Sequence, residues 1–174
     1  MKKELLMVKL TLLILLFTYG YSHPHTFIEV EPIIDIKDTK MNNLHVKWTI
    51  DEMTSMMLIM ELDSDKNGSF NKTENNYIYK NYFSDLDKQE FYMKILSNKS
   101  SVPINPENFK ASIEDNRLIY SFDIKKNIDT KNLKIGFFDK TLLVAMMLKK
   151  DHITLKGVNK KKSNQFKKDI FGVN

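Results

Sequence analysis

The most constraining stretch of this chain is Asp63-Ser64-Asp65-Lys66-Asn67-Gly68-Ser69-Phe70-Asn71-Lys72-Thr73-Glu74. Side-chain oxygens stand at its positions 1, 3, 5, 9 and 12 (Asp63, Asp65, Asn67, Asn71 and Glu74), and Ser69 at position 7 offers a backbone carbonyl. Gly68 occupies position 6, where the chain must turn sharply. This is the ligand spacing of an EF-hand loop: the early oxygens wrap one hard cation, and Glu74 closes the shell with both carboxylate oxygens. Phe70 fills the apolar position 8 that packs such a loop onto its helices. The competing reading is an Asp/Asn-rich turn with accidental spacing, and helical periodicity on both sides argues against it. A helix–loop–helix over about 52–86 is therefore expected. A lone loop lacks the partner of a cooperative sensor, so its calcium reads as structural.

The remainder alternates like β structure. Thr26 to Ile36 is rich in β-branched and aromatic residues, but Pro32 removes a backbone donor, which predicts an edge strand or a bulge there. After the polar turn 37–43, Leu44, Val46, Trp48 and Ile50 alternate onto one buried face. A hairpin turning near Lys40 returns Asp51 and Glu52 to the start of the first strand. Met53, Met56, Met57 and Met60 then fall at i, i+3, i+4 and i+7. That stripe reads as a core-facing helix surface, although thioethers also bind Cu(I). A second helix is predicted over Thr73 to Leu86, with Ile78, Tyr82 and Leu86 inward. Short strands follow over Phe91–Leu96, Phe109–Ile113, Leu118–Ile124, Leu133–Phe138, Leu142–Leu148 and Ile153–Leu155. The expected fold class is α+β: mainly antiparallel β, sandwich-like, with the helix–loop–helix inserted.

Both ends differ from this body. Met1-Lys2-Lys3, the apolar run Leu10–Phe17, and small residues at Gly20 and Ser22 form the pattern of a secretory signal cut before His23. The apolar run is shorter than the roughly 20 residues of a membrane-spanning helix. Cleavage after residue 22 of 174 leaves 152, enough for one domain, 23–158, with a basic tail at 159–174. The net charge of +5 sits in the leader and in the lysines from Lys156 onward, which leaves the body slightly acidic. Nucleic acid is thereby disfavoured as a partner. There is no cysteine, so neither disulfides nor a thiol nucleophile are available, and no Gly-rich phosphate loop or Gly-x-Ser-x-Gly elbow appears.

Cleavage before His23 produces a second candidate metal site. A mature N-terminal histidine can chelate through its α-amine and its ring, the histidine-brace arrangement. Pro24 has no amide hydrogen, which excludes a chelate through deprotonated backbone amides. His25 contributes its imidazole, and the hairpin brings Asp51 and Glu52 nearby as further ligands or as orienting carboxylates. Imidazole suits Ni, Co, Cu and Zn without choosing among them. The alternative is a pair of exposed histidines at a strand start. His45 and His152 read as surface residues.

Four ordered motifs then bear a resemblance. His23-Pro24-His25-Thr26-Phe27-Ile28, Trp48-Thr49-Ile50-Asp51-Glu52-Met53, Leu62-Asp63-Ser64-Asp65-Lys66-Asn67-Gly68 and Phe138-Asp139-Lys140-Thr141 with Val144-Ala145 resemble blocks of the bacterial DUF1007 proteins. The resemblance implies a periplasmic component of an uncharacterised ABC-type transport system, often beside nickel/cobalt-type permeases. It also brings Asp139 forward as a ligand beside His23 and His25. The expected function is a non-enzymatic periplasmic accessory protein. It would hold Ca²⁺ and one divalent transition metal (Ni, Co, Cu or Zn) and serve an inner-membrane metal permease. The alternatives are a copper histidine-brace redox enzyme and a calcium-stabilised protein-interaction module.

Overall fold

Strand β1 (Thr26–Lys37) and strand β2 (Lys40–Ile50) form the expected antiparallel hairpin, in register from Ile28 opposite Ile50 to Lys37 opposite Lys40. The structure, a computed structural model, describes residues 25–158; the leader, His23, Pro24 and the basic stretch 159–174 lie outside the described residues. Leu44, Val46, Trp48 and Ile50 are buried on one face, as the alternation requires. Beyond them lie β3 (Met93–Ser97), β4 (Ser100–Val102), β5 (Glu107–Glu114), β6 (Arg117–Asp129), β7 (Leu133–Phe137), β8 (Val144–Leu148) and β9 (Thr154–Lys156). The larger sheet runs β5-β6-β2-β1-β8, with β9 also on β1, and the smaller runs β4-β3-β7. Most pairings are antiparallel, but β8 and β9 both lie parallel to β1.

This arrangement corrects the expectation for Pro32. The strand is internal, and its register irregularity falls at Asp35/Ile36. β8 covers Thr26 to Val30 and β9 covers Ile33 to Asp35, so Glu31 and Pro32 face the gap between two parallel neighbours. A residue without an amide hydrogen is tolerated where no ladder bond is asked of it. Gly157 ends β9 at φ +75°, and a Cβ there would lie 1.9 Å from the carbonyl oxygen of Ile36.

Helix α1 (Glu52–Leu62) and helix α2 (Lys72–Ile78) flank the loop. The second helix is shorter than predicted. It gives way to a wider π-type turn at Tyr79–Phe83 and a 3-10 segment at Ser84–Tyr92. Ile78, Tyr82 and Leu86 pack against the core as expected, but the fully buried aromatic of this segment is Phe83, five residues after Ile78, which is the spacing of a π turn. Phe83 thereby reaches Phe109, Phe122 and Trp48, with ring centroids 4.3, 5.0 and 6.2 Å away. Burying such a ring contributes roughly 1.5–3 kcal/mol. Glu90, Phe91 and Tyr92 then all take positive φ, reversing the chain into β3.

The methionine stripe is the other correction. Met53, Met56, Met57 and Met60 are exposed, while Ser55 and Leu62 are buried and Leu58 and Ile59 pack against the core. Two stripes with the same spacing run along α1, two residues out of phase, and the inward one contains Ser55. Its hydroxyl is satisfied, donating to Ile50 O at 3.0 Å and accepting from the Leu118 amide at 2.9 Å. That fixes the helix against the start of β6. One core cluster draws on both sheets and the helical segment. Among the described residues no helix is long and apolar enough to cross a membrane.

Candidate metal sites

The loop between α1 and α2 is shaped by its own side chains. Asp63 follows the last turn of α1, and its carboxylate accepts from the amides of Asn67 at 3.2 Å and Gly68 at 2.8 Å. Gly68 holds φ +78°. Asn67 Oδ1 accepts from the Ser69 amide and hydroxyl at 2.9 and 2.6 Å. Asn71 caps α2, its Oδ1 accepting from the amides of Thr73 and Glu74, and Glu74 Oε2 reciprocates by accepting from the Asn71 amide. This capping box commits Asn71 to the helix, so any ligand role for it passes through water. Glu74 Oε1 accepts from the Ser64 hydroxyl and amide at 2.6 and 2.8 Å, which folds the loop's end onto its beginning.

Asp63, Asp65 and Glu74 consequently offer oxygens that all lie within 4.8 Å of one another, the one such His/Asp/Glu group among the described residues. Asp63 and Glu74 are buried and Asp65 is exposed. The Ser64 hydroxyl and the Asn71 amide keep the Glu74 carboxyl below its ordinary range despite desolvation. Three clustered carboxylates repel one another, and a hard cation relieves that repulsion.

The second region is the end of the larger sheet where β1 begins. The His25 amide donates to Leu143 O at 2.9 Å, and the Phe27 amide donates to Asp51 Oδ2 at 3.0 Å. The hairpin thus returns Asp51 to the strand start, while the exposed Glu52 lies in the first turn of α1. Asp51 Oδ1 also caps α1 by accepting from the Thr54 amide. Burial raises its carboxyl, and these backbone donors outweigh that and leave it lowered.

Asp139 lies in the loop before β8 and is buried. It accepts from the Thr141 amide and hydroxyl at 2.9 and 2.7 Å, and from the Leu143 and Val144 amides at 3.0 and 2.9 Å. Burial raises this carboxyl too, and the four donors leave it lowered. The same loop is tied down by Lys140, which reaches Glu90 at 2.8 Å, and by Phe138, whose amide donates to Tyr92 O. His25, Asp51 and Asp139 therefore share one end of the sheet. The oxygens of both carboxylates are occupied by amides and a hydroxyl, and His23 lies outside the described residues.

Arg117, the one arginine among 27 basic residues, was not singled out by the sequence pattern. It donates to Ile50 O at 2.7 Å, to Thr49 O at 3.4 Å and to Glu29 at 3.0 Å, locking the strand ends beneath Asp51. Its rarity was the available signal, since a planar fork serves several acceptors at once and lysine cannot. Elsewhere His45 Nδ1 lies 2.9 Å from Asp123, partly exposed, and His152 is half-buried.

The family described as "Protein of unknown function (DUF1007)" matches residues 8–169, and the chain belongs to it. An uncharacterized protein of Haemophilus influenzae is 25% identical over 145 residues, covering 78% of this chain and 68% of that one. An uncharacterized 15.5 kDa protein of Spirochaeta aurantia is 30% identical over 98 residues, covering 53% of this chain and 69% of that one. No solved structure matches.

Proposed function

We propose that this DUF1007 protein is an exported, periplasmic metal-binding accessory protein. It holds Ca²⁺ in an EF-hand loop at Asp63–Glu74 and a divalent transition metal at the mature N-terminal His23 and His25. The observation that carries the reading is the convergence of Asp63, Asp65 and Glu74 within 4.8 Å, in a loop that Gly68 turns and the Asn71–Glu74 capping box closes. Calcium prefers six to eight oxygens, which Asn67, the Ser69 carbonyl and water complete.

Support for the histidine site is positional. β1 begins at Thr26, pinned on one side by Asp51 and on the other by the Asp139 loop, so His25 projects from a fixed platform. In this reading the histidines supply the ligands, and Asp51 and Asp139 hold the backbone that carries them. Export and a permease as recipient rest on the leader and the motifs shared with the family.

Calorimetry of the processed protein tests both halves. One Ca²⁺ site is expected, weakened at least tenfold by Glu74→Gln. Separately, one Ni²⁺, Co²⁺, Cu²⁺ or Zn²⁺ is expected, lost in His23→Ala and in His25→Ala. Calcium binding that is indifferent to Glu74 removes the first half. Transition-metal binding that is indifferent to both histidines removes the second.

A further inference from the structure

Helix α1 sorts its apolar residues by kind. The face that packs uses Leu58, Ile59 and Leu62 around Ser55, and the opposite face uses methionine at every apolar position. Met53, Met56, Met57 and Met60 are 63%, 59%, 57% and 77% exposed. An outward helix face is ordinarily polar, and exposing four large apolar side chains in one stripe is a cost that calls for a ligand. Leucine or isoleucine, which the same helix uses for packing, would also serve an apolar contact. What methionine adds is flexibility and a thioether sulfur.

Residues three and four apart on a helix have Cβ atoms about 5–6 Å apart, and methionine carries three rotatable bonds beyond Cα. The sulfurs of Met53, Met56 and Met57, or of Met56, Met57 and Met60, can therefore meet at one ion. Charge points the same way. Between Asp51 and Asp65 the chain carries five acidic residues and no basic one, although it has 27 basic residues in all. A cation is drawn to this helix, and an anionic membrane surface is repelled. Thioethers select soft ions, Cu(I) above all, and in a chain without cysteine they are the soft ligands available.

We infer that Met53, Met56, Met57 and Met60 form a thioether site for Cu(I) on the exposed face of α1. It is separate from both the Ca²⁺ loop and the histidines. Asp51 caps the helix and its carboxylate holds the Phe27 amide, so the site opens beside the end of the sheet where His25 leads into β1. No bond to protein is made or broken beyond coordination, and the metal arrives already reduced.

The test is an anaerobic titration of the processed protein with Cu(I), against bicinchoninate as competing chelator. It is run in a His23→Ala/His25→Ala background, so that the histidine site cannot contribute. One Cu(I) per chain is expected, with a sulfur-only first shell by X-ray absorption. Replacing all four methionines by leucine conserves size at exposed positions, and near-ultraviolet dichroism with Ca²⁺ titration reports that the fold survives. In that variant Cu(I) affinity falls at least tenfold. Failure to withdraw Cu(I) from the chelator, equal affinity in the leucine variant as for a face that docks protein, or a shell of nitrogen and oxygen overturns the inference. None of these results bears on the histidine reading, which its own substitutions test.

Discussion

Asp63 Oδ2 accepts the amide hydrogen of Gly68 at 2.8 Å, across a turn that Gly68 makes at φ +78°. The bond sets the loop's curvature from within the chain, and the conformation at its apex is one that residues with a Cβ seldom adopt. Apart from Gly68 and its chain neighbours, no atom of the described residues lies within 4 Å of a Cβ placed there, so space is not the constraint. Gly68→Ala should destabilise the protein by about 1–2 kcal/mol through backbone strain alone. Gly68→Asn, which tolerates the left-handed region, should recover part of that. Urea denaturation of the metal-free protein compares the two, and equal stability of alanine and glycine there would refute the strain argument.

Asp139 gathers four donors from its own loop, two of them amides at the entry to β8. Asp139→Ala leaves three partly buried amides without their acceptor and is expected to cost about 1–3 kcal/mol. Because the His25 amide bonds to Leu143 O in the same segment, hydrogen exchange should accelerate both across β8 and at His25. Acceleration spread evenly over the whole chain would point to a general loss of stability instead.

Acid should act on the Glu29–Arg117 pair. The hydrogen bond from Arg117 holds the Glu29 carboxyl below its ordinary value, against the pull of desolvation. A carboxyl lowered by folding binds its proton less tightly than in the unfolded chain. Its stabilisation is therefore full above about pH 5 and fades as pH falls through and below the ordinary range. Glu29→Gln should cost about 1 kcal/mol at pH 7 and little at pH 3. The difference between the variants' stability-versus-pH curves reads this directly, and parallel curves would contradict it.

Gly157 is constrained by contact rather than by φ alone. A Cβ would overlap the carbonyl oxygen of Ile36, and a backbone atom in a strand cannot swing aside. Gly157→Ala should detach β9 from β1, exposing Ile33 to Asp35 on that side to rapid amide exchange while β8 stays paired. Unchanged protection there would show that β9 contributes nothing to β1.

Much of this architecture was legible because local patterns agreed with it. Trp48 and its alternating neighbours have one buried face, so period two sufficed for the hairpin, but its turn is the tighter Asp38–Thr39 and residues 40–43, expected in the turn, belong to β2. The sharp turn at Gly68 between α1 and α2 was legible because short-range geometry sets its spacing. Three features were not. Two apolar stripes share one period on α1, and nothing local says that Ser55 marks the inward one. The shift from α-helix to π turn depends on Phe83 finding an aromatic cluster assembled from distant strands. Arg117 acts on Glu29, 88 positions away, through a contact that only the sheet order creates.

In the proposed function, one chain binds calcium in the loop and a transition metal at its N-terminal histidines. Native mass spectrometry of the exported, processed protein against a panel of Ca²⁺, Ni²⁺, Co²⁺, Cu²⁺ and Zn²⁺ tests it most directly. A chain beginning at His23 should carry one calcium and, at the same time, one transition metal, the two being lost separately in Glu74→Gln and His23→Ala. A chain that begins elsewhere, or one that begins at His23 and retains neither metal, would contradict it.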